Sequence, residues 1–313
     1  MIGRFPILYI AEADAEDAIL SSGVLAHLVD SLPQASFTLV GSAASAPLFA
    51  DTPRSRLIVL ERETRLQWFD LWKRLRTTAW GLVVDMRGTW LSDRLRRSKR
   101  AVRGADQPGE HAVQAAARTL MLDDVPTPRL FIGEETEAAA AALIPAGDGP
   151  ILAMGPGADW VGKQWPADRF VQIAAALTAE GPMKDARLML VGGEGDREAT
   201  QTVRSALPRG RLIELQGRLT PLHTCAALRR ADLFIGNDSL WTQLAVAAGA
   251  PTVAAFGPSD EAVTGPWGGV AVRGARSLDE FRALDPNLNQ QLNHMIDLPV
   301  DRVLKAARAL LAK

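Results

Sequence analysis

Asn237, Asp238 and Ser239 stand where an apolar run, Leu233 to Ile235, passes Gly236 and gives way to a helical pattern from about Ser239 to Ala248. These are the residue types that accept hydrogen bonds from the open amides at a helix start. Those first N–H groups have no partner inside the helix, and with the positive end of its dipole they suit a phosphate or diphosphate. Capping alone fits an ordinary turn as well as a ligand site. Lys163 is a second phosphate candidate, carried by the glycine-rich stretch Gly155-Pro156-Gly157-Ala158-Asp159-Trp160-Val161-Gly162-Lys163-Gln164-Trp165-Pro166. Gly157 to Lys163 has G-x-x-x-x-G-K spacing, but Gln164 follows in place of Ser or Thr, and Pro166 comes too early for the helix of a P-loop. A P-loop NTPase is therefore excluded. Lys163 remains either a point charge for a phosphate or a solvated surface lysine.

The elements that must position these residues alternate. Ile7–Ile10, Phe37–Val40, Leu57–Leu60 and Leu82–Asp85 read as strands, with helical patterns at Ala43–Phe49, Leu66–Leu75, His111–Leu122 and Glu134–Leu143. Pro145 to Pro150 then breaks the chain, and a second series follows. Its strands are Ile151–Met154, Leu188–Val191, Leu212–Leu215, Leu233–Ile235 and Thr252–Phe256. Its helices are Asp168–Leu177, Glu198–Leu207, Leu222–Arg230, Ser239–Ala248 and Val300–Leu311. Such alternation predicts mostly parallel sheets covered by helices, in two domains, residues 1–147 and 148–313, with the last helix packing back on the first.

Composition excludes several classes. The single cysteine, Cys225, allows no internal disulfide and no multi-cysteine zinc site, and reads as a buried small residue. Asp14, Glu16 and Asp17 follow the first strand; Asp14 and Glu16 suit the dipole at a helix start, and Asp14-Ala15-Glu16 is too little for a metal, so none is expected. The same acids after Met1–Ile10 argue against a signal peptide, and no window approaches the roughly 18 apolar residues of a membrane span. A soluble, cytoplasmic protein is expected. Net charge is −1, yet Arg62–Arg103 holds twelve Lys/Arg against four Asp/Glu and half of the eight tryptophans, Trp68, Trp72, Trp80 and Trp90. That patch suits a polyanionic partner or a membrane headgroup zone, or else a solvated helix face with Trp68 and Trp72 turned inward. No nucleic-acid-reading motif accompanies the charge.

Taken together, the segments resemble the lipopolysaccharide heptosyltransferases, the family-9 glycosyltransferases of GT-B fold. Gly155 to Pro166 is similar to that family's Pro-Gly-x(n)-Lys-x-Trp-Pro stretch, Val191-Gly192-Gly193 to its glycine turn, and Gly236 to Ser239 with Phe256 to Asp260 to its signature. Asp17 to Leu25 looks like its Gly-Asp segment, and Leu82 to Leu122, with His111, like its later part. The resemblance implies an α/β, GT-B architecture of two Rossmann-like, doubly wound domains facing across a cleft. It also implies an inverting, metal-independent transfer of a sugar from a nucleoside-diphosphate donor, usually ADP-heptose, to an anionic glycolipid such as a lipopolysaccharide core. Asp17 would be the general base. Lys163, Asn237, Asp238, Ser239, Leu240 and Gln243 would surround the donor, and Glu194 or Asp196 would contact its ribose. Arg87 and Arg94, in the basic stretch, would meet the acceptor, with peripheral contact at the inner membrane surface.

The chain departs from that pattern at defined positions. Gln243 stands in place of the signature histidine and Leu240 in place of its glycine; Glu16 replaces a glycine, Gly23 a proline, and Asn293-His294-Met295 the cysteines near the C-terminus. Glutamine donates a hydrogen bond but cannot carry histidine's charge, and Leu240 with Trp241 would reshape the donor pocket. The alternative reading is a catalytically inactive GT-B-like binding or scaffolding protein of envelope biogenesis.

Overall fold

The computed structural model of the protein describes residues 5–312. The start of the expected first segment, before Phe5, lies outside them. The chain divides into two compact units, one ending at Gly133 and the other beginning at Glu134.

In the first unit β1 (Phe5–Ile10), α1 (Ala15–Leu20), α2 (Ser22–Ser31), β2 (Ala35–Ser42), β3 (Ser55–Leu60), α3 (Arg65–Leu75), β4 (Trp80–Asp85), α4 (Trp90–Arg94), β5 (Arg97–Val102) and α5 (Ala112–Arg118) follow in order. The five strands are parallel in the order β3-β2-β1-β4-β5. Leu8, Ile10, Val40 and Val83 supply the sheet's face, and α3 covers it with Trp68, Leu71 and Leu75. Two expectations change here. Arg97–Val102 forms an edge strand that pairs only with β4, and its exposed basic side chains give no apolar alternation to read. The pattern at Ala43–Phe49 shrinks to a 3-10 turn, Ala46–Phe49, with Pro47 in its first turn.

The second unit runs through α6 (Glu134–Ala142), β6 (Ile151–Gly155), α7 (Ala167–Ala179), β7 (Arg187–Leu190), α8 (Arg197–Ala206), β8 (Leu212–Glu214) and α9 (Pro221–Leu228). It continues with β9 (Leu233–Asn237), α10 (Leu240–Ala248), β10 (Thr252–Phe256), α11 (Glu261–Thr264), β11 (Val270–Arg273), α12 (Leu278–Leu284) and α13 (Val300–Leu311). Its six parallel strands lie in the order β8-β7-β6-β9-β10-β11, the doubly wound 3-2-1-4-5-6 arrangement when counted from β6.

The division at Gly133 and Glu134 corrects the expected boundary after residue 147. α6 precedes the Pro145–Pro150 break but packs on α9, where Glu137 pairs with Arg230 at 2.6 Å and Arg229 at 3.5 Å. α13 belongs to the second unit, where its Val303 and Ala307 are buried in the core with Phe170, Ile173 and Leu177 of α7. Cys225 is buried on α9, and burial pushes its thiol up to about 12. Among the described residues no helix is long and apolar enough to cross a membrane.

Candidate functional site

In an open, doubly wound sheet, ligands bind beyond the carboxyl ends of the strands where the order reverses. In the second unit that point lies between β6 and β9, whose ends Gly155 and Gly236 pair in register. The residues singled out by their chemistry gather there.

Asp238 is buried at the end of β9 with 2% exposure of its side chain, and its Oδ2 lies 3.2 Å from Lys163 Nζ. Ser259 Oγ donates to the same oxygen. Lys163 also approaches Asp159 at 3.7 Å, so its charge is held over the start of α10 from two sides. Ser259 is fixed in turn by Arg273, whose guanidinium donates to the carbonyls of Gly257 and Ser259 and pairs with Glu261. That pairing holds the Glu261 carboxyl below its ordinary range.

Asn237 works through its side chain. Oδ1 accepts from Trp165 N at 2.9 Å while Nδ2 donates to Pro156 O at 2.7 Å, which clamps both ends of the glycine-rich loop onto β9. The loop makes a short 3-10 turn at Val161–Lys163, and the following helix begins only at Ala167. Ser239 is the N-cap of α10, but its side chain caps no amide and its hydroxyl turns back to Asn237 O at 3.4 Å. Gln243, one turn into α10, donates to Thr264 O at 2.8 Å, and its buried Oε1 has no hydrogen-bond partner. Leu240 is half-buried at the first position of the helix.

Asp196 belongs to the same cluster through a partner that sequence reasoning did not pair with it. Its Oδ2 accepts from Trp241 Nε1 at 2.8 Å and from Gly193 N at 2.8 Å. Burial raises the Asp196 pKa, and these two hydrogen bonds oppose the rise. A Cβ on Gly157 would lie 2.1 Å from Asp196 Oδ1, so the close approach of loop and carboxylate requires glycine. The Trp241 ring lies beside Gly193, and its Cβ lies beside Gly155 at the end of β6. Glu194 is exposed on the neighbouring turn.

The first unit has its own switch point, between β1 and β4. An open pocket of about 440 Å³ lies there, lined by Glu12, Asp17, Arg87 and Arg103 among others. Asp14 caps α1, accepting from Glu16 N at 2.8 Å and Asp17 N at 3.3 Å, which aligns the helix that carries Asp17. Although Asp17 is exposed, the protein packed around its carboxyl raises the pKa, with repulsion from Asp14 adding and Arg103 opposing. Arg103 donates to Glu12 at 2.6 Å and Asp106 at 2.8 Å. Arg87 lines the pocket with its guanidinium paired bidentately to Glu63, at 2.8 and 2.6 Å. Arg94 is exposed on α4 and is not among the pocket's lining residues. Gly23 also has a physical reason: a Cβ there would lie 2.4 Å from Pro126 O. A larger hollow, about 740 Å³, sits by the amino ends of β2 and β4, away from these groups.

Among the described residues no cluster of three or more His, Cys, Asp or Glu has the arrangement of a metal site. The model of glycosyltransferase family 9 (heptosyltransferase) matches residues 100–274. A curated relative, lipooligosaccharide heptosyltransferase 2 of Haemophilus influenzae, is 25% identical over 155 residues, which make up 46% of this chain and 44% of the relative's length. Among solved structures, a glycosyl transferase family 9 protein of Veillonella parvula aligns with 98% of this chain and 97% of its own, at 20% identity and a TM-score of 0.78. An ADP-heptose LPS heptosyltransferase II of E. coli aligns over 98% of both chains, at 20% identity and a TM-score of 0.75. These likenesses show the fold, the α/β architecture of two Rossmann-like units expected of a GT-B protein. The family match covers more than half of the sequence, and the chain belongs to glycosyltransferase family 9, the heptosyltransferase family.

Proposed function

We propose that the protein is a glycosyltransferase that moves a sugar, heptose or a close analogue, from a nucleoside-diphosphate donor to a hydroxyl of a lipopolysaccharide core or related anionic glycan, with inversion and without a metal. The observation that carries this reading is the Lys163–Asp238–Ser259 cluster at the start of α10, at the switch point of the second unit's sheet. In such a transfer the acceptor oxygen forms a bond to the anomeric carbon as the bond from that carbon to the diphosphate oxygen breaks. Negative charge grows on the leaving diphosphate, where fixed donors stabilise the transition state more than the ground state. The Lys163 ammonium and the first amides of α10 would supply those donors. The buried Gln243 Oε1 would accept from a donor hydroxyl.

Asp17 would take the acceptor's proton. A carboxyl whose pKa is raised is a stronger base than an ordinary aspartate, which suits that task. The ADP-heptose named for the E. coli relative is the first donor to try, and the lipooligosaccharide of the Haemophilus relative's name points to the acceptor class.

Calorimetric titration with ADP, UDP, GDP and CDP, with and without magnesium, tests the donor half. Magnesium-independent binding of ADP is expected. Preference for another nucleotide would keep the transferase and change the donor, whereas no binding to any of the four would favour a binding or scaffolding protein.

A further inference from the structure

We propose that Asp285 and His294 are positioning residues for Lys163: they fix the Trp160 indole, and with it the short turn that carries the Lys163 ammonium. That Lys163 meets a diphosphate rests on the function proposed above; that these residues hold it in place does not.

Neither residue belongs to the cluster at the start of α10, and both are buried, Asp285 at 0% exposure and His294 at 2%. Asp285 follows the last turn of α12, its N–H donating to Phe281 O at 2.9 Å. Its Oδ2 accepts from Gln290 N at 2.9 Å and faces His294 Nε2 at 3.4 Å, while its buried Oδ1 has no hydrogen-bond partner. A carboxylate and an imidazole in the interior are costlier than well-packed apolar side chains of similar size. What such a pair supplies instead is direction, because hydrogen bonds have preferred angles that apolar contacts lack.

Both residues lead to Trp160. Gln290, fixed at its N–H by Asp285, accepts at its carbonyl from Trp160 Nε1 at 3.0 Å. The His294 ring, which meets Phe281 edge-on at 5.7 Å, lies 5.5 Å from the Trp160 ring between centres. The indole is thus held at its nitrogen and at its ring by a segment 130 residues further along the chain.

Trp160 in turn shapes the turn at Val161–Lys163. Its carbonyl accepts from Lys163 N at 3.0 Å, and a Cβ on Gly162 would lie 2.5 Å from the outer edge of its ring, so indole and turn are in direct contact. Met295, next to His294 and 1% exposed, extends the support: its sulfur packs against Gly257, at the start of the loop that brings Ser259 to Asp238. Asp285 and His294 therefore act on the ammonium's position through Trp160.

Amine acylation of the intact protein, read at each lysine by peptide mass spectrometry, measures how firmly Lys163 is held, and calorimetric titration with ADP measures what it holds. In His294→Leu, in Asp285→Leu and in Trp160→Phe, which removes the indole N–H, Lys163 should be labelled several-fold faster as its pairing with Asp238 and Asp159 loosens. The exposed Lys184 and Lys305 should react as in wild type. ADP affinity should fall about tenfold, and in a Lys163→Ala background the same changes should cost less than about twofold. Trp160→Phe alters a half-buried ring, so a folding defect in the other two would not hide the answer. Unchanged Lys163 labelling in Trp160→Phe, or in both His294→Leu and Asp285→Leu, would overturn the proposal, as would an affinity loss as large without Lys163 as with it. Faster labelling with ADP affinity unchanged, or with no ADP binding by wild type, would keep the positioning role and remove the diphosphate reading of Lys163.

Discussion

Lys163 Nζ lies 3.2 Å from Asp238 Oδ2, and the carboxylate it neutralises is otherwise buried. Removing the lysine leaves that carboxylate with Ser259 Oγ as its remaining side-chain partner at this oxygen. Breaking a buried pair by deleting one member typically costs about 3–5 kcal/mol; partial exposure of Lys163 places Lys163→Met nearer ~2 kcal/mol. Nucleotide affinity should fall at the same time. Urea unfolding and nucleotide titration measure the two effects, and Asp238→Asn added to Lys163→Met should recover most of the stability but not the binding. Full recovery of binding in the double variant would show that Lys163 does not hold the phosphate.

Gly157→Ala puts a methyl against Asp196, whose carboxylate is held by Trp241 and Gly193 and cannot swing away without losing both. The expected cost is about 1–3 kcal/mol, that of overpacking a tight site. Asp196→Ala removes the contacts at Oδ1 and Cγ, 2.1 and 2.2 Å, and leaves that at Cβ, 2.7 Å, so it should cost less in the Gly157→Ala background than in wild type, and Asp196→Gly less still. A double-mutant cycle by thermal unfolding reads this coupling, and strict additivity would count against the contact.

Much of the fold is legible in the sequence because buried parallel strands appear as unbroken apolar runs; β6, β9 and β10 stand within a residue or two of their expected limits. β5 is hidden because its basic side chains face solvent along an edge. The site is legible as residue types and loses detail where partners are distant in sequence. Asn237 has the composition of a helix cap, yet its amide clamps a loop 72 to 81 residues away. Trp241 and Asp196 were each visible as departures or candidates, but their hydrogen bond spans 45 residues, and no periodicity encodes it. Arg273, which fixes the Ser259 loop, sits at the end of a four-residue strand with no local motif to mark it.

The raised pKa of Asp17 gives a signed pH dependence. As pH falls through that raised value Asp17 becomes protonated, and in the proposed reaction, where it is the base, turnover should decline on the acid side with an apparent pKa above the ordinary 3.8. Asp14 contributes to the rise by repulsion, after burial. Asp14→Asn keeps the helix cap and removes the charge, and should move the acid limb to lower pH. Rate profiles of kcat/KM for the two proteins decide the matter; an unmoved limb in Asp14→Asn, or one at the ordinary aspartate value in wild type, would assign the base elsewhere.

Glu261 and Arg273 couple the loop at Gly257 and Ser259 to acid stability. The hydrogen bond from Arg273 depresses the Glu261 pKa below its ordinary 4.5. A carboxyl lowered on folding stabilises the folded state above its unfolded value, and that contribution is lost as pH falls through the lower, folded value. Glu261→Gln should therefore remove part of the stability seen at neutral pH and flatten its decline toward about pH 3. Nucleotide affinity at neutral pH should fall as well, because Arg273 without its carboxylate holds Gly257 and Ser259 less firmly, and Ser259 is the donor to Asp238. Urea midpoints across the acid range, paired with nucleotide titration at neutral pH, measure both limbs. A stability loss without any change in affinity would confine the ion pair to the scaffold and detach it from the site.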